Sequence, residues 1–244
     1  MLNPSDAKGV KKMKKWRYVF MGVLLCSLFA GSLAWGEVQL FVDKQTVRVH
    51  DPELGKQSIL NNFQPKGWRT HNYFALVWND QEGTVYDIRT HQWIPLKNFA
   101  PLSGFLSDNF ALVWEPNRAA IFNAAGRSWI VTDFPMDTIT NPLLSRGMGA
   151  LTTRKEFVVY DPVLRSWEVY DDVYPKQAAL GDNLAICWNE KDAFIYDTTT
   201  HEWIEKRDIA PQACIVEDYK ITIFTVDSIL TYDAMTHRWK TEER

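Results

Sequence analysis

Short apolar runs punctuate the chain at regular intervals, each four or five residues long and flanked by polar turns. "FALVW" at 74–78, "FALVW" at 110–114 and "LAICW" at 184–188 are apolar throughout. After a charged turn each gives way to a second run ("TVYD", "AIFN", "FIYD"; "FVVY" in a fourth unit), and then to a more polar stretch carrying a single Trp. Another short apolar stretch precedes them, as in "GFLS" before Asp108-Asn109 and "AAL" before Gly181-Asp182-Asn183. No segment has helical periodicity. The pattern predicts four short antiparallel strands per unit. The Asp-Asn and Gly-Asp-Asn turns are expected to use residues that tolerate positive φ. A run that is apolar at every position is a strand buried on both faces.

The units are copies of one another. An aromatic anchor falls at Tyr86, Phe122, Tyr160, Tyr196 and Tyr232, at spacings of 36, 38, 36 and 36 residues. Seven residues after each comes a Trp: Trp93, Trp129, Trp167, Trp203 and Trp239. Immediately after each anchor stands a short polar residue: Asp87, Asn123, Asp161, Asp197 and Asp233. A worn sixth copy precedes them, with His50-Asp51 in the anchor slots and Gln57 in place of Trp. Pro65 follows His50 by the same fifteen residues that separate Pro101, Pro175 and Pro211 from their own anchors.

Six four-stranded units of fixed period predict an all-β propeller of six short blades, the first one degenerate because no inner strand is evident in it. The Tyr and Trp series are expected to wedge between blades. Burial of each ring contributes on the order of 2–3 kcal/mol. In "YDIRTHQW", Asp87 is placed to accept hydrogen bonds from backbone N–H groups two and three residues on, with Thr90 closing the turn. The phrase reads as a structural hairpin.

The motifs "YDIRTHQW", "YDPVLRSW", "YDTTTHEW" and "YDAMTHRW" resemble those of the kelch repeat family, over roughly residues 40–240. The later Trp separates them from WD repeats. The Gly-Gly doublet of kelch blades is absent; its positions read Trp78-Asn79, Trp114-Glu115, Thr152-Thr153, Trp188-Asn189 and Phe224-Thr225. The resemblance implies a kelch-like propeller.

Ahead of the repeats, "KKMKKWR" followed by "YVFMGVLLCSLFAGSLA" and Ala34-Trp35-Gly36 reads as a signal peptide over residues 1–36. Residues 37–244 are then the propeller domain, exported to the periplasm or outside the cell, with membrane attachment expected only if the leader stays uncleaved. Six of the 27 basic residues and one of the 30 acids lie in the leader, so the remainder carries a net charge of −8. That acidic balance excludes nucleic acid as a partner. Cys187 and Cys214 lie in apolar runs and read as buried thiols sooner than as a disulfide.

Candidate chemistry is sparse. His91, His201 and His237 occupy one turn slot on three units, where Arg127 and Arg165 sit on two others. They are expected to be solvated turn residues too far apart to share a metal, so no metal or cofactor is expected. Nucleophile and phosphate-loop motifs are missing, and Asp171-Asp172 reads as a solvated loop. Trp78, Trp114 and Trp188 end the second strand on three units and could form an aromatic platform for a sugar or peptide. The unit at 131–156 breaks the pattern with a two-residue insertion, loses the Trp at Thr152, and offers Thr153, Arg154 and Lys155 instead. These features favour a non-enzymatic binding module for a protein partner or an envelope glycan. The alternatives are an exported sugar-active enzyme with its site in the central channel, and a structural subunit of an oligomer.

Overall fold

The computed structural model describes residues 38–244; the expected leader lies outside the described residues. Every regular element described is a strand, and the strands form six antiparallel sheets in chain order, one per sequence repeat. The fold is a six-bladed β-propeller. Blade 1 holds three strands, Gln39–Val42 (β1), Thr46–Asp51 (β2) and Lys56–Asn61 (β3). Blade 2 holds four, Gly67–His71 (β4), Phe74–Trp78 (β5), Glu82–Asp87 (β6) and Gln92–Lys97 (β7), and blades 3 to 6 follow the same order. The continuous apolar runs are second strands. In blades 2 and 5, all five residues of that strand are buried, because each sheet is covered by a neighbour on both faces.

Six apolar cores fill the five interfaces from blade 1 to blade 6, two of them between blades 1 and 2. Leu76, Trp78 and Val85 of blade 2 meet Val113, Ala120 and Phe122 of blade 3, and the other interfaces repeat the arrangement. Each anchor ring is buried, and its Trp packs edge-on or tilted against it, at 5.2 Å for Tyr86–Trp93 and 4.9 Å for Tyr196–Trp203. Such pairs add about 0.5–1.5 kcal/mol to simple burial. Two of the Trp rings also reach back one blade: Trp129 Nε1 donates to the Ile94 carbonyl at 3.1 Å and Trp167 Nε1 to Ile130 at 3.2 Å.

The turn after the anchor is as expected. Asp87 Oδ1 accepts from the Arg89 N–H at 3.0 Å, Thr90 Oγ1 donates to the Asp87 carbonyl at 3.3 Å, and the same cap recurs at Asp161 and Asp233. The positive φ falls elsewhere than expected. It sits at the last residue of this turn, at His91, Arg127, Arg165, His201 and His237, and not at the Asp-Asn turns.

The second carboxylate oxygen ties one blade to the next. Asp51 Oδ2 accepts from the Tyr86 hydroxyl and from His91 Nδ1, both at 2.7 Å. Asp161 Oδ2 accepts from Tyr196 at 2.8 Å and His201 at 2.6 Å. Asp197 accepts from Tyr232 at 2.7 Å. His91 and His201 are therefore part-buried interblade donors and not the solvated turn residues expected. Burial alone would raise the Asp51 and Asp161 carboxyls, but the bonds from the His ring, the Tyr hydroxyl and the turn amides outweigh it and hold both below the ordinary value of 3.8. A carboxyl lowered in the folded state stabilises fully above its unfolded pKa, and that contribution is lost as the pH falls through the lower folded value. The melting temperature is expected to drop below about pH 4, with a shallower drop in Asp51→Asn/Asp161→Asn, measured by circular dichroism between pH 3 and 7.

Candidate functional site

Blade 1 is incomplete on its inner side. In the 36-residue register β1 matches β5, the second strand of blade 2, so no strand among the described residues holds the innermost position. Beyond the bonds β1 makes to β2, half of its backbone N–H and C=O groups face that position, where no described strand pairs with them. Trp68 of β4 overhangs it. Trp68 pairs with Val77, whose side chain belongs to the core shared with Val47 and Phe63 of blade 1, so the indole faces blade 1 one strand further in. It is 50% exposed.

The face of blade 1 turned away from blade 2 is also uncovered. Phe41, Arg48 and Ile59 sit side by side across its three strands, with Phe41 46% and Ile59 51% exposed. Blade 6 ends the same way. The face that blade 5 presents to blade 6 carries Leu184, Ile186, Trp188, Ala193 and Ile195. One period on, blade 6 has Lys220, Thr222, Phe224, Ile229 and Thr231 in those positions, and Ile215 beside Thr222 is 54% exposed. In blade 1 the slots of Ala75, Val77, Thr84 and Tyr86 hold Gln39, Phe41, Arg48 and His50. Both end faces have exchanged apolar for polar residues, as terminal repeats do when no neighbour covers them. Asp233 caps its own turn but does not bond across to His50, and among the described residues no core and no hydrogen bond joins blade 6 to blade 1. The result is a seam at which no described strand stands inside β1, with Trp68 and Phe41 exposed on the blade 1–2 side and Ile215 exposed on blade 6.

The residues singled out from the sequence lie away from this seam and from each other. Trp78 and Trp188 are each 6% exposed and sit in two different interblade cores. Trp78 lies flat over Gly67, where a Cβ would meet its ring at 2.2 Å. Trp114 is half-buried against Phe105 at 5.0 Å, at a third interface. Arg154 lines an open groove of about 720 Å³ with Pro116, Met136 and Thr140. The insertion loop is tied down there by the Lys155 N–H donating to Asp137 Oδ2 at 2.9 Å, while Thr153 Oγ1 accepts from the Glu156 N–H at 2.9 Å. Glu156 is pushed up by burial and by the charges of Asp171 and Asp137. Cys187 of blade 5 and Cys214 of blade 6 are both free, in the two cores that flank blade 5, and burial pushes Cys214 up to about 12. Among the described residues no group of three His, Cys, Asp or Glu side chains is arranged to hold a metal ion.

The polar end faces were not sought, although Lys220, Thr222 and Thr231 stand where blade 5 has Leu, Ile and Ile.

No known protein family matches the chain, and no curated protein is similar to it in sequence. Among solved structures, it is similar to apo AztD from Citrobacter koseri, with 12% identity over 85% of this chain and 70% of that one and a TM-score of 0.45. BamB from Moraxella catarrhalis aligns over 86% of this chain and 74% of its own, at 10% identity and a TM-score of 0.39. No function is carried over at these scores.

Proposed function

We propose that this protein is an exported, kelch-like propeller acting as a non-enzymatic binding module for a protein partner, which it engages by accepting one extended strand of that partner at the inner edge of blade 1. The observation that carries this reading is that no described strand pairs with the inner edge of β1, beside an exposed Trp68. A row of unpaired backbone donors and acceptors is complementary to another backbone, and flanking apolar side chains supply pockets for alternate residues of an added strand. A sugar would leave most of that edge unpaired. The leader pattern in residues 1–36 supports export, and the Tyr-Asp…Trp motif supports kelch-like descent.

Site-specific photocrosslinking in expressing cells tests the reading. With p-benzoylphenylalanine at position 68, a single adduct larger than the protein is expected, and none with the probe at Val163 on the opposite turn face. An adduct of twice the protein's own mass would show that the occupant is a second copy and favour the structural-subunit reading. Absence of any adduct at position 68, or the same adducts at both positions, would overturn the proposal.

A further inference from the structure

On the turn face, one repeated slot loses its acid in two successive blades. The last residue of the anchor turn is His91, Arg127, Arg165, His201 and His237 in blades 2 to 6, always at positive φ. Each His leans back on a carboxylate of the preceding blade: His91 on Asp51 at 2.7 Å, His201 on Asp161 at 2.6 Å, and His237 toward Asp197 at 3.8 Å. The two arginines lack that partner. Behind Arg165 stands the neutral Asn123, whose Nδ2 donates to the Tyr160 hydroxyl at 2.8 Å. Behind Arg127 stands Asp87, buried and already bound by Arg89 Nε at 2.9 Å. Arg89 and Arg146 are matched by Asp87 and Asp182, whereas Arg127 and Arg165 make no ion pair and no side-chain hydrogen bond among the described residues.

Arg165 reaches back over the turn of blade 3. A Cβ on Gly126 would stand 3.8 Å from Arg165 Cζ and 3.4 Å from Ser128 Oγ. The glycine leaves that space open, and Arg127 is the residue between Gly126 and Ser128. The turn also has a spare amide. Asp51, Asp161 and Asp233 each cap two N–H groups through Oδ1, but Asn123 Oδ1 accepts only from Ala125, at 2.9 Å. The second amide, the Gly126 N–H, has no acceptor among the described residues.

We propose that this open spot over Gly126 binds a terminal phosphate monoester, held by Arg165, Arg127, the Ser128 hydroxyl and the Gly126 N–H. Charge and donor count select this chemistry. At neutral pH such a group carries about −1.5 to −2 and three acceptor oxygens, which answers two unmatched guanidinium groups and two neutral donors. A carboxylate has one charge and two oxygens, so it leaves one arginine unmatched. Each guanidinium fork can hold two phosphate oxygens. A soluble ester and a lipid headgroup present the same group, and the test separates them. The site lies on the turn face, away from the strand edge of blade 1, and does not rest on it.

Titration calorimetry of the whole protein with D-glucose 6-phosphate, D-glucuronate and D-glucose tests it, with cosedimentation on phosphatidylcholine vesicles carrying phosphatidic acid as the lipid arm. Saturable binding of the phosphate is expected, at least about tenfold tighter than glucuronate, since a charge-assisted bond is worth about that factor. Arg165→Gln, an exposed change, is expected to weaken it about tenfold. Asn123→Asp restores the acid that the other blades hold behind this slot. It is expected to keep or raise the unfolding temperature while abolishing phosphate binding, because Arg165 then has a carboxylate of its own. Loss in both variants of glucose 6-phosphate binding supports a soluble ester, and loss in both of vesicle binding supports a lipid headgroup. Failure of glucose 6-phosphate and vesicles alike, glucuronate bound as tightly as the phosphate, or unchanged affinity in a folded Asn123→Asp would each overturn the proposal.

Discussion

Asp161→Ala is expected to destabilise the protein by about 4 kcal/mol, the sum of several polar groups losing their only buried partner. The side chain is fully buried, and its two oxygens serve different structures. Oδ1 accepts from the Val163 and Leu164 amides at 2.8 and 3.0 Å, which sets the hairpin of blade 4. Oδ2 accepts from Tyr196 and His201 of blade 5. The alanine variant keeps the Tyr196 hydroxyl buried with no acceptor and opens the turn. Against a total stability of roughly 5–15 kcal/mol, such a loss is large. Asp161→Asn separates the two roles. The amide oxygen can still cap the turn, and Nδ2 can donate to Tyr196 as Asn123 does to Tyr160, so only the His201 bond is lost, at about 1–2 kcal/mol. Urea unfolding of the two variants distinguishes them. Equal losses would mean that the carboxylate charge, and not the bond geometry, holds blades 4 and 5 together.

That experiment bears on what was readable in the chain. The blade count, the strand order and the Asp cap all followed from spacing and turn chemistry, because they are local: an Asp two residues before an amide needs no knowledge of neighbours. The second oxygen of the same Asp was not readable, because its partners lie 35 and 40 residues away in sequence. A signal did exist. Three slots carry both Tyr and His one unit after an Asp: Tyr86/His91 and Tyr196/His201 form the full staple, Tyr232/His237 keeps the Tyr bond with His237 3.8 Å from Asp197, and the departures at Phe122/Arg127 and Tyr160/Arg165 follow Asp87 and Asn123. Reading each His as an isolated turn residue hid this. The placement of Trp78 has the same origin. A Trp at the end of a second strand lies beside a loop in sequence, yet Gly67 removes the Cβ that would hold the ring off the inner strand, and the indole folds inward over it. Side-chain direction at a strand end depends on the residue across the ladder, which one unit alone does not reveal.

The close approach of successive turns gives the second large effect. Gly147→Ala is expected to cost on the order of 3 kcal/mol, at the upper end for an overpacked site. A methyl on Gly147 would stand 1.8 Å from the carbonyl oxygen of Asp182 and 2.6 Å from its carbon. Those atoms are backbone in the next blade, so no rotamer change relieves the overlap. The two turns are also clamped, with the Arg146 N–H donating to Asp182 Oδ1 at 3.0 Å and the Arg146 guanidinium paired to Oδ2 at 2.7 Å. Relief therefore requires blades 4 and 5 to part, which strains the core that holds Met148, Ala185 and Tyr196. One unit earlier, Asn109 fills the matching slot and donates to the Arg146 carbonyl at 2.9 Å, so the side chain there bonds to the next blade where Gly147 abuts it. Gly126→Ala is the control. Its added methyl would meet nothing nearer than 3.4 Å and its φ is not positive. Restricting the unfolded chain there is expected to leave stability unchanged or raise it by about 0.5 kcal/mol. Thermal unfolding of the two variants side by side should give shifts of opposite sign or of very different size. Equal shifts would mean that glycine content alone, and not the contact with Asp182, sets the stability of these turns.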